Sequence, residues 1–260
     1  MVFDQNTANL PRKNLKSAFG QYIFSRQKEL ILYLVAPCSG ERILDVNCDT
    51  GDHLQIFKEK WCSVTGINPS AQILQKVKNK LGADTEIVAG KADDLPFSDN
   101  EFDIVTLINV LETAKNPKKV LSEAIRVCRG RVFIGFLNNL TLAGTKQRLK
   151  ELFGLPLSQE IRFFRLNEIK LMVEGTIGNT KIKWGSVLYF PAFVYSFFEE
   201  LEEMLPLENN PLGAFTGLVV PVKYTFQTVQ TPLMESFNMN RKAQRAAPGT
   251  ARDMVQEMQK

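Results

Sequence analysis

Between residues 42 and 136 short apolar or β-branched runs alternate with segments whose apolar residues recur at helical spacing. That alternation constrains the fold more than any other feature of the chain. The runs predict strands at 42–46, 62–67, 84–89, 102–107 and 131–136, and the intervening segments predict helices at 51–60, 70–81 and 117–128. Ser70 stands as an N-cap ahead of Ile73, Leu74, Val77 and Leu81. Asn116-Pro117 offers a cap and a first-turn proline ahead of Val120, Leu121, Ala124 and Ile125. Strands that alternate with helices imply βαβ crossovers, hence an α/β fold with a doubly wound, mostly parallel sheet.

The flanks break this rhythm. Residues 11–36 read as one or two basic helices ended by Pro37, so 1–40 is expected to be an N-terminal helical cover. After residue 137 come a basic helix at 139–153, a short helix at 167–174 capped by Asn167 and ended near Gly175, and a strand at 180–189. A Phe-rich helix at 191–205 and an apolar strand at 214–226 follow. The last two strands bring the expected count to seven, and 138–210 reads as a helical insertion within a domain spanning 41–227. From 228 to 260 polar residues, Pro and Ala replace the apolar pattern, which predicts a flexible tail with at most a short helix at 250–259.

Composition excludes several function classes. Apolar residues make up 44% of the 260, with 18 Phe, so the chain can bury a sizeable core. A net charge of +4 gives no footing for a nucleic-acid partner, and none is expected. Four cysteines without a Cys-x-x-Cys pair, beside a single His, predict neither structural zinc nor a disulfide framework. That fits a reducing, cytoplasmic setting. The longest apolar stretch, Val187–Phe198, is interrupted by Pro191 and Ser196 and is too short to span a bilayer. It reads as core, as a substrate lid, or, with the rest of 187–205, as a surface for a protein partner.

Residues 42–54, Arg-Ile-Leu-Asp-Val-Asn-Cys-Asp-Thr-Gly-Asp-His-Leu, join the first strand to the first crossover helix through a short polar turn. In an open parallel sheet such a turn at the carboxyl end of a strand is where a nucleotide-like ligand sits.

Four stretches in order resemble the class I S-adenosylmethionine-dependent methyltransferases of the type 11 group. They are Ile43–Gly51, Val64–Ser70, Leu95–Asp103 and Asn109–Val127, together spanning about residues 41–136. The resemblance implies a Rossmann-like sheet, S-adenosylmethionine as methyl donor with S-adenosylhomocysteine as product, and a small-molecule methyl acceptor. Carried over position by position, it assigns the cofactor to Asp45, Asn47, Cys48, Gly51, Asn68, Ala92, Asp93 and Asn109. Asp45 would orient the loop or the cofactor's amino group. Asn68 would meet the ribose, Asp93 would lie near adenine, and Asn109 would receive the methionine ammonium. Cys48 matches a buried, structural position. Glu112 is the carboxylate placed to act as a general base; the other reading is a solvated surface side chain.

The chain departs from the family pattern at several of these positions. Asn47 and Asp49 stand where the loop usually has glycines, Asn68 where the ribose usually meets an acid, Lys91 where an acid often stands, and Thr113 where His is frequent. His53 reads as a helix-face residue. Two functions remain open: an active methyltransferase, or a catalytically inactive descendant kept as a binding or assembly module. A nicotinamide enzyme is disfavoured, because its G-x-G-x-x-G fingerprint is absent.

Overall fold

The computed structural model describes residues 18–82, 85–138, 162–189 and 204–222. The helices expected at 139–153, 191–205 and 250–259 lie wholly or almost wholly outside these residues, as do the tail and most of the 187–205 surface.

Seven strands form one sheet in the order β3-β2-β1-β4-β5-β7-β6. They are β1 (Arg42–Val46), β2 (Ser63–Asn68), β3 (Glu86–Ala89), β4 (Phe102–Ile108), β5 (Cys128–Leu137), β6 (Lys183–Val187) and β7 (Phe215–Pro221). The first five pair in parallel, while β7 runs antiparallel to both β5 and β6. Five described helices cover it: α1 (Ala18–Val35), α2 (Asp52–Lys58), α3 (Ala71–Leu81), α4 (Pro117–Val127) and α5 (Leu166–Ile177). The order reverses direction between β1 and β4, which opens a crevice at the carboxyl ends of those two strands.

Strand alternation sorts the core into two layers. Ile43, Val64, Ile104, Phe133 and Phe215 pack with Leu30 and Ile31 of α1, Leu54 and Phe57 of α2, and Val77 of α3. Leu44, Val46, Val105, Leu107, Val132 and Leu218 pack on the other face with Val120, Leu121 and Ala124 of α4 and Ile169 and Val173 of α5. Both faces of the sheet are thus covered, which is why its central strands read as continuous apolar runs.

Element boundaries depart from the expected ones for local reasons. Asn116 caps α4 as expected, its side chain accepting the Lys119 N–H at 3.1 Å, and Pro117 fills the first turn. Ser70 occupies the N-cap position of α3 but makes no side-chain cap bond. The strand after α4 begins at Cys128, three residues earlier than expected. A bulge between Phe102 and Ile104 absorbs the extra residue, and a Cβ on Gly130 would lie 2.4 Å from the Asp103 carbonyl oxygen. The helix expected at 167–174 runs instead from Leu166 to Ile177, with Arg165 at the N-cap. It passes through Gly175, which is exposed and meets nothing, and stops at Gly178 with φ 77°. The strand expected to reach residue 189 stops at Val187 because Leu188 takes φ 70°.

Gly66, inside β2, packs directly against Cys48 of the loop after β1 and Leu54 of α2. A Cβ there would fall 2.6 Å from Cys48 Sγ and 2.8 Å from Leu54 Cδ1. Overpacking of this kind costs about 1–3 kcal/mol. Gly66→Ala is therefore expected to lower the urea-unfolding free energy by about that amount, with the slope against denaturant unchanged.

Candidate active site

The carboxyl end of β1 is tied to both neighbouring strands through side chains. On the β4 side Asp45 and Thr106 are register partners, and the Thr106 hydroxyl donates to Asp45 Oδ1 at 2.6 Å. On the β2 side Asn68 Nδ2 donates to Asn47 Oδ1 at 3.0 Å. Asn68 Oδ1 in turn accepts the Ser70 N–H at 2.9 Å, turning the chain into α3. The Cys48 N–H donates to the Ile67 carbonyl at 3.0 Å, so the loop stays on the sheet for two residues beyond β1. Thr106 was not legible as a site residue, because the sequence does not reveal cross-strand register.

The turn then uses the backbone conformations its residues allow. Asn47 has φ 62°, a left-handed conformation that Asn tolerates better than most residues. Gly51 has φ 72° at the N-cap of α2, and a Cβ there would meet Val77 Cγ1 at 3.0 Å, so glycine is required on two counts. Asp52 opens α2, where a carboxylate complements the helix dipole, and pairs with Lys80 of α3. Cys48 is buried.

At the end of β4, Asn109 has φ 54°, and its backbone N–H donates to the Gly135 carbonyl at 2.9 Å. Its Oδ1 is buried without a hydrogen-bond partner. Glu112 follows one turn later and is 1% exposed; a solvated surface glutamate it is not. Its Oε1 accepts the Leu137 N–H at 2.8 Å and its backbone carbonyl accepts the Arg162 N–H at 3.1 Å, whereas Oε2 has no partner.

Ala92 and Asp93 are half-buried in the turn bridged between Lys91 and Asp94. The segment that follows is fastened to α4: Glu123 Oε2 accepts the Leu95 N–H at 3.0 Å, and Arg126 donates to the Leu95 and Phe97 carbonyls at 3.0 and 2.8 Å. His53 lies with its ring 6.0 Å from that of Phe24, and its Nε2 is buried and unpartnered. Burial lowers its pKa to about 4, so it is neutral at pH 7.

Two carboxyls shift the other way. Burial raises Asp45 to about 7, opposed by the Thr106 hydrogen bond and assisted by the charge of Asp49. Burial likewise raises Glu112 to about 7, against the hydrogen bond from Leu137. Both therefore titrate near neutrality.

These residues fit the methyl donor that the fold implies. The unpartnered Asn109 Oδ1 suits an ammonium group, and the Asn47–Asn68 amides retain capacity for a hydroxyl: one further Nδ2 hydrogen on Asn68 and both Nδ2 hydrogens on Asn47. Among the described residues no cluster of His, Cys, Asp and Glu could hold a metal ion, all four cysteines are free thiols, and no helix is long and apolar enough to cross a membrane.

Comparison with known proteins points to the same fold. Residues 44–134 match the family model described as a methyltransferase domain. The demethylmenaquinone methyltransferase of Renibacterium salmoninarum is 35% identical over 104 residues, covering 40% of this chain and 44% of that protein. The ubiquinone/menaquinone biosynthesis C-methyltransferase of Campylobacter jejuni is 26% identical over 220 residues, covering 80% and 86%. The chain spans less than half the length of the first of these relatives. Among solved structures, an S-adenosylmethionine-dependent methyltransferase of Thermotoga maritima, described as a possible histamine N-methyltransferase, superposes with a TM-score of 0.62 at 18% identity over 79% of this chain and 91% of that one. The cyclase SpnF does so with 0.59 at 16% identity over 82% and 86%. These likenesses concern the fold. Strand order and these matches show a Rossmann-like, methyltransferase-type fold, within which residues 44–134 are similar to a methyltransferase domain.

The raised carboxyl at Asp45 has a measurable consequence. Its folded pKa lies above its unfolded value, so the folded state binds the extra proton between about pH 4 and 7, and stability contributed by Asp45 falls as pH rises through that window. Asp45→Asn removes the titration. The mutant is expected to gain stability relative to wild type between pH 5 and pH 8, by about 1–3 kcal/mol, because a tenfold difference in proton affinity is worth about 1.4 kcal/mol. Urea unfolding of both proteins at the two pH values checks this.

Proposed function

We propose that the chain transfers the methyl group of S-adenosylmethionine to a small-molecule acceptor, releasing S-adenosylhomocysteine. The observation that carries this reading is the set of polar groups gathered at the carboxyl ends of β1, β2 and β4, with Asn109 Oδ1 left as a buried acceptor without a partner. A buried oxygen of this kind forgoes about 1–3 kcal/mol unless a donor reaches it. The methionine ammonium is such a donor. Asn68 and Asn47 would take the ribose, the Gly51 turn would let the ligand approach backbone, and Asp45 would hold the loop. Ala92 and Asp93 would flank the adenine. The cofactor supplies an electrophilic methyl group; the chain supplies orientation, which by itself is a large share of the acceleration in an in-line transfer.

The named activity of the quinone-methylating relatives supports a quinol-type acceptor for this chain as well. A second reading rests on one specific observation. Asn47 and Asn68 already bond each other across the ribose position, as a permanently closed amide pair in a non-enzymatic binding module would.

Thermal-shift titration separates the two. Ligand at 100 times its dissociation constant stabilises by about 2.7 kcal/mol, equivalent to roughly 5–10 °C for a domain of this size. S-adenosylhomocysteine is expected to produce that shift. Asn109→Ala is expected to weaken binding about 10- to 100-fold, the worth of a hydrogen bond to a charged group. No shift at millimolar ligand contradicts the enzyme reading and leaves the module.

A further inference from the structure

The loop that leads from α1 into β1 brings two thiols to one point. Residues 38–41 form a turn closed by the Glu41 N–H, which donates to the Cys38 carbonyl at 3.2 Å, and Gly40 at its third position has φ 87°. A type II turn needs that backbone there, and glycine takes it without strain. The chain then runs beside the approach to β2. The Gly40 N–H donates to the Trp61 carbonyl and the Ser63 N–H to the Glu41 carbonyl, both at 2.9 Å. Cys62 lies between these two bonds, and its thiol is directed at the Cys38 carbonyl, with Sγ 3.3 Å from the oxygen. A carbonyl oxygen stands about 2.4 Å from its own Cα, so the Cys62 sulfur is within about 6 Å of the Cys38 Cα.

The surroundings hold this arrangement and give the thiols different access. The Arg131 guanidinium donates to the Val35 and Ala36 carbonyls at 2.7 and 3.1 Å and to the two Glu41 carboxylate oxygens at 2.9 and 2.8 Å. Glu41 Oε2 also accepts the Cys38 N–H at 2.7 Å. Cys38 is exposed, with Sγ 4.0 Å from the Ala36 carbonyl, whereas Cys62 is buried. Burial holds the Cys62 thiol protonated above the ordinary cysteine range; Glu41 and Cys38 add to this and Arg131 opposes it.

We propose that Cys38 and Cys62 form a reversible disulfide, made by hydroperoxides and undone by small thiols, which clasps the exit of α1 to the turn before β2. The movement required is confined to Cys38: rotation of an exposed side chain about its Cα–Cβ bond. In the first step the Cys38 thiolate attacks the hydroperoxide. The O–O bond breaks, sulfur keeps one oxygen as a sulfenic acid, and the other oxygen leaves as hydroxide. Cys62, shielded from the oxidant, then attacks Cys38 Sγ. The S–S bond forms, the S–O bond breaks, and the oxygen departs as water with the Cys62 proton. Two thiols have thereby given two electrons to the peroxide. Two small thiols return them through a mixed disulfide. A transient pair of this kind is compatible with a reducing compartment, where permanent disulfides are rare.

The clasp lies where β1 and β2 begin, at the opposite edge of the sheet from the crevice, and does not depend on the methyltransferase reading. Its effect falls on α1, whose Leu30, Ile31, Leu34 and Val35 belong to the core. Closing residues 38–62 into a loop restricts the unfolded chain, so the oxidised protein is the more stable form.

The test treats the full chain with hydrogen peroxide, alkylates the remaining thiols, and maps tryptic peptides by mass spectrometry without reductant. Trypsin separates the two cysteines, because Arg42, Lys58 and Lys60 lie between them. The expected product is peptide 29–42 joined to peptide 61–76, lighter by two hydrogens than the two apart. The joined form should melt roughly 5–12 °C higher than the reduced one. Dithiothreitol should reverse both changes, which distinguishes them from methionine oxidation. Cys38→Ser alters only an exposed side chain; it should melt as reduced wild type does and show neither the joined peptide nor the peroxide-induced rise. Cys38 left as a thiol, oxidation that stops at its sulfinic acid, a bond to another cysteine or to a second chain, a joined peptide with no rise in melting temperature, or an undiminished rise in Cys38→Ser overturns the proposal.

Discussion

The site depends on the carboxyl end of β1 being held from both sides. β1 is the central parallel strand between β2 and β4; strand pairing fixes it as far as Val46, and one further backbone bond, from the Cys48 N–H to the Ile67 carbonyl, follows in the turn. Two side-chain hydrogen bonds extend that control into the turn: Thr106 to Asp45 toward β4, and Asn68 to Asn47 toward β2. Because Asp45 and Thr106 lie in the buried layer, their bond is made where an unpaired polar group would be costly, and it therefore persists. The loop from Asn47 to Gly51 is thus delivered in one conformation to the mouth of the crevice between β1 and β4. Residues at the ends of β2 and β4 meet it there.

The substitutions of glycine and acid by asparagine are best understood together. Asn47 in place of glycine accepts a left-handed backbone at about 1 kcal/mol, and its side chain then finds Asn68, which stands in place of an acid. A carboxylate at residue 68 could not donate that hydrogen bond; the amide can. What the pair gives up is a charge-assisted bond to a diol, roughly twice as strong as a neutral one. Asn109 carries a second left-handed backbone at the end of β4. Left-handed non-glycine residues also occur at Ala36, Trp61, Asn100, Leu188 and Asn209, but Asn47 and Asn109 are the two that stand at the strand ends bordering the crevice.

Much of this was legible in the residues. The alternation of apolar runs and helical periodicity between 42 and 136 corresponds to the five parallel strands and their crossovers, because burial on both faces leaves an unambiguous apolar signal. The caps at Ser70 and Asn116 were also placed correctly, although only Asn116 bonds with its side chain. What escaped was whatever depends on register and depth. The Asp45–Thr106 bond joins residues 61 positions apart, and the β4–β5 bulge starts β5 at Cys128. Glu112 was visible as a carboxylate near a strand end, but its burial comes from Leu137 and the chain at Arg162, contributed by distant segments. The extension of α5 through Gly175 reflects tertiary packing of Ile169 and Val173 prevailing over a local stop signal.

The central claim is that Asn47, Asn68 and Asn109 form one ligand-binding wall at the ends of β1, β2 and β4. Nitrogen–proton correlation spectra of the side-chain amides during titration with S-adenosylhomocysteine test it most directly. The account predicts that the signals of these three asparagines move together and saturate at the same ligand concentration, while Asn79 and Asn116 stay fixed. Perturbation confined to other residues, or none at these three when binding is complete, would contradict it.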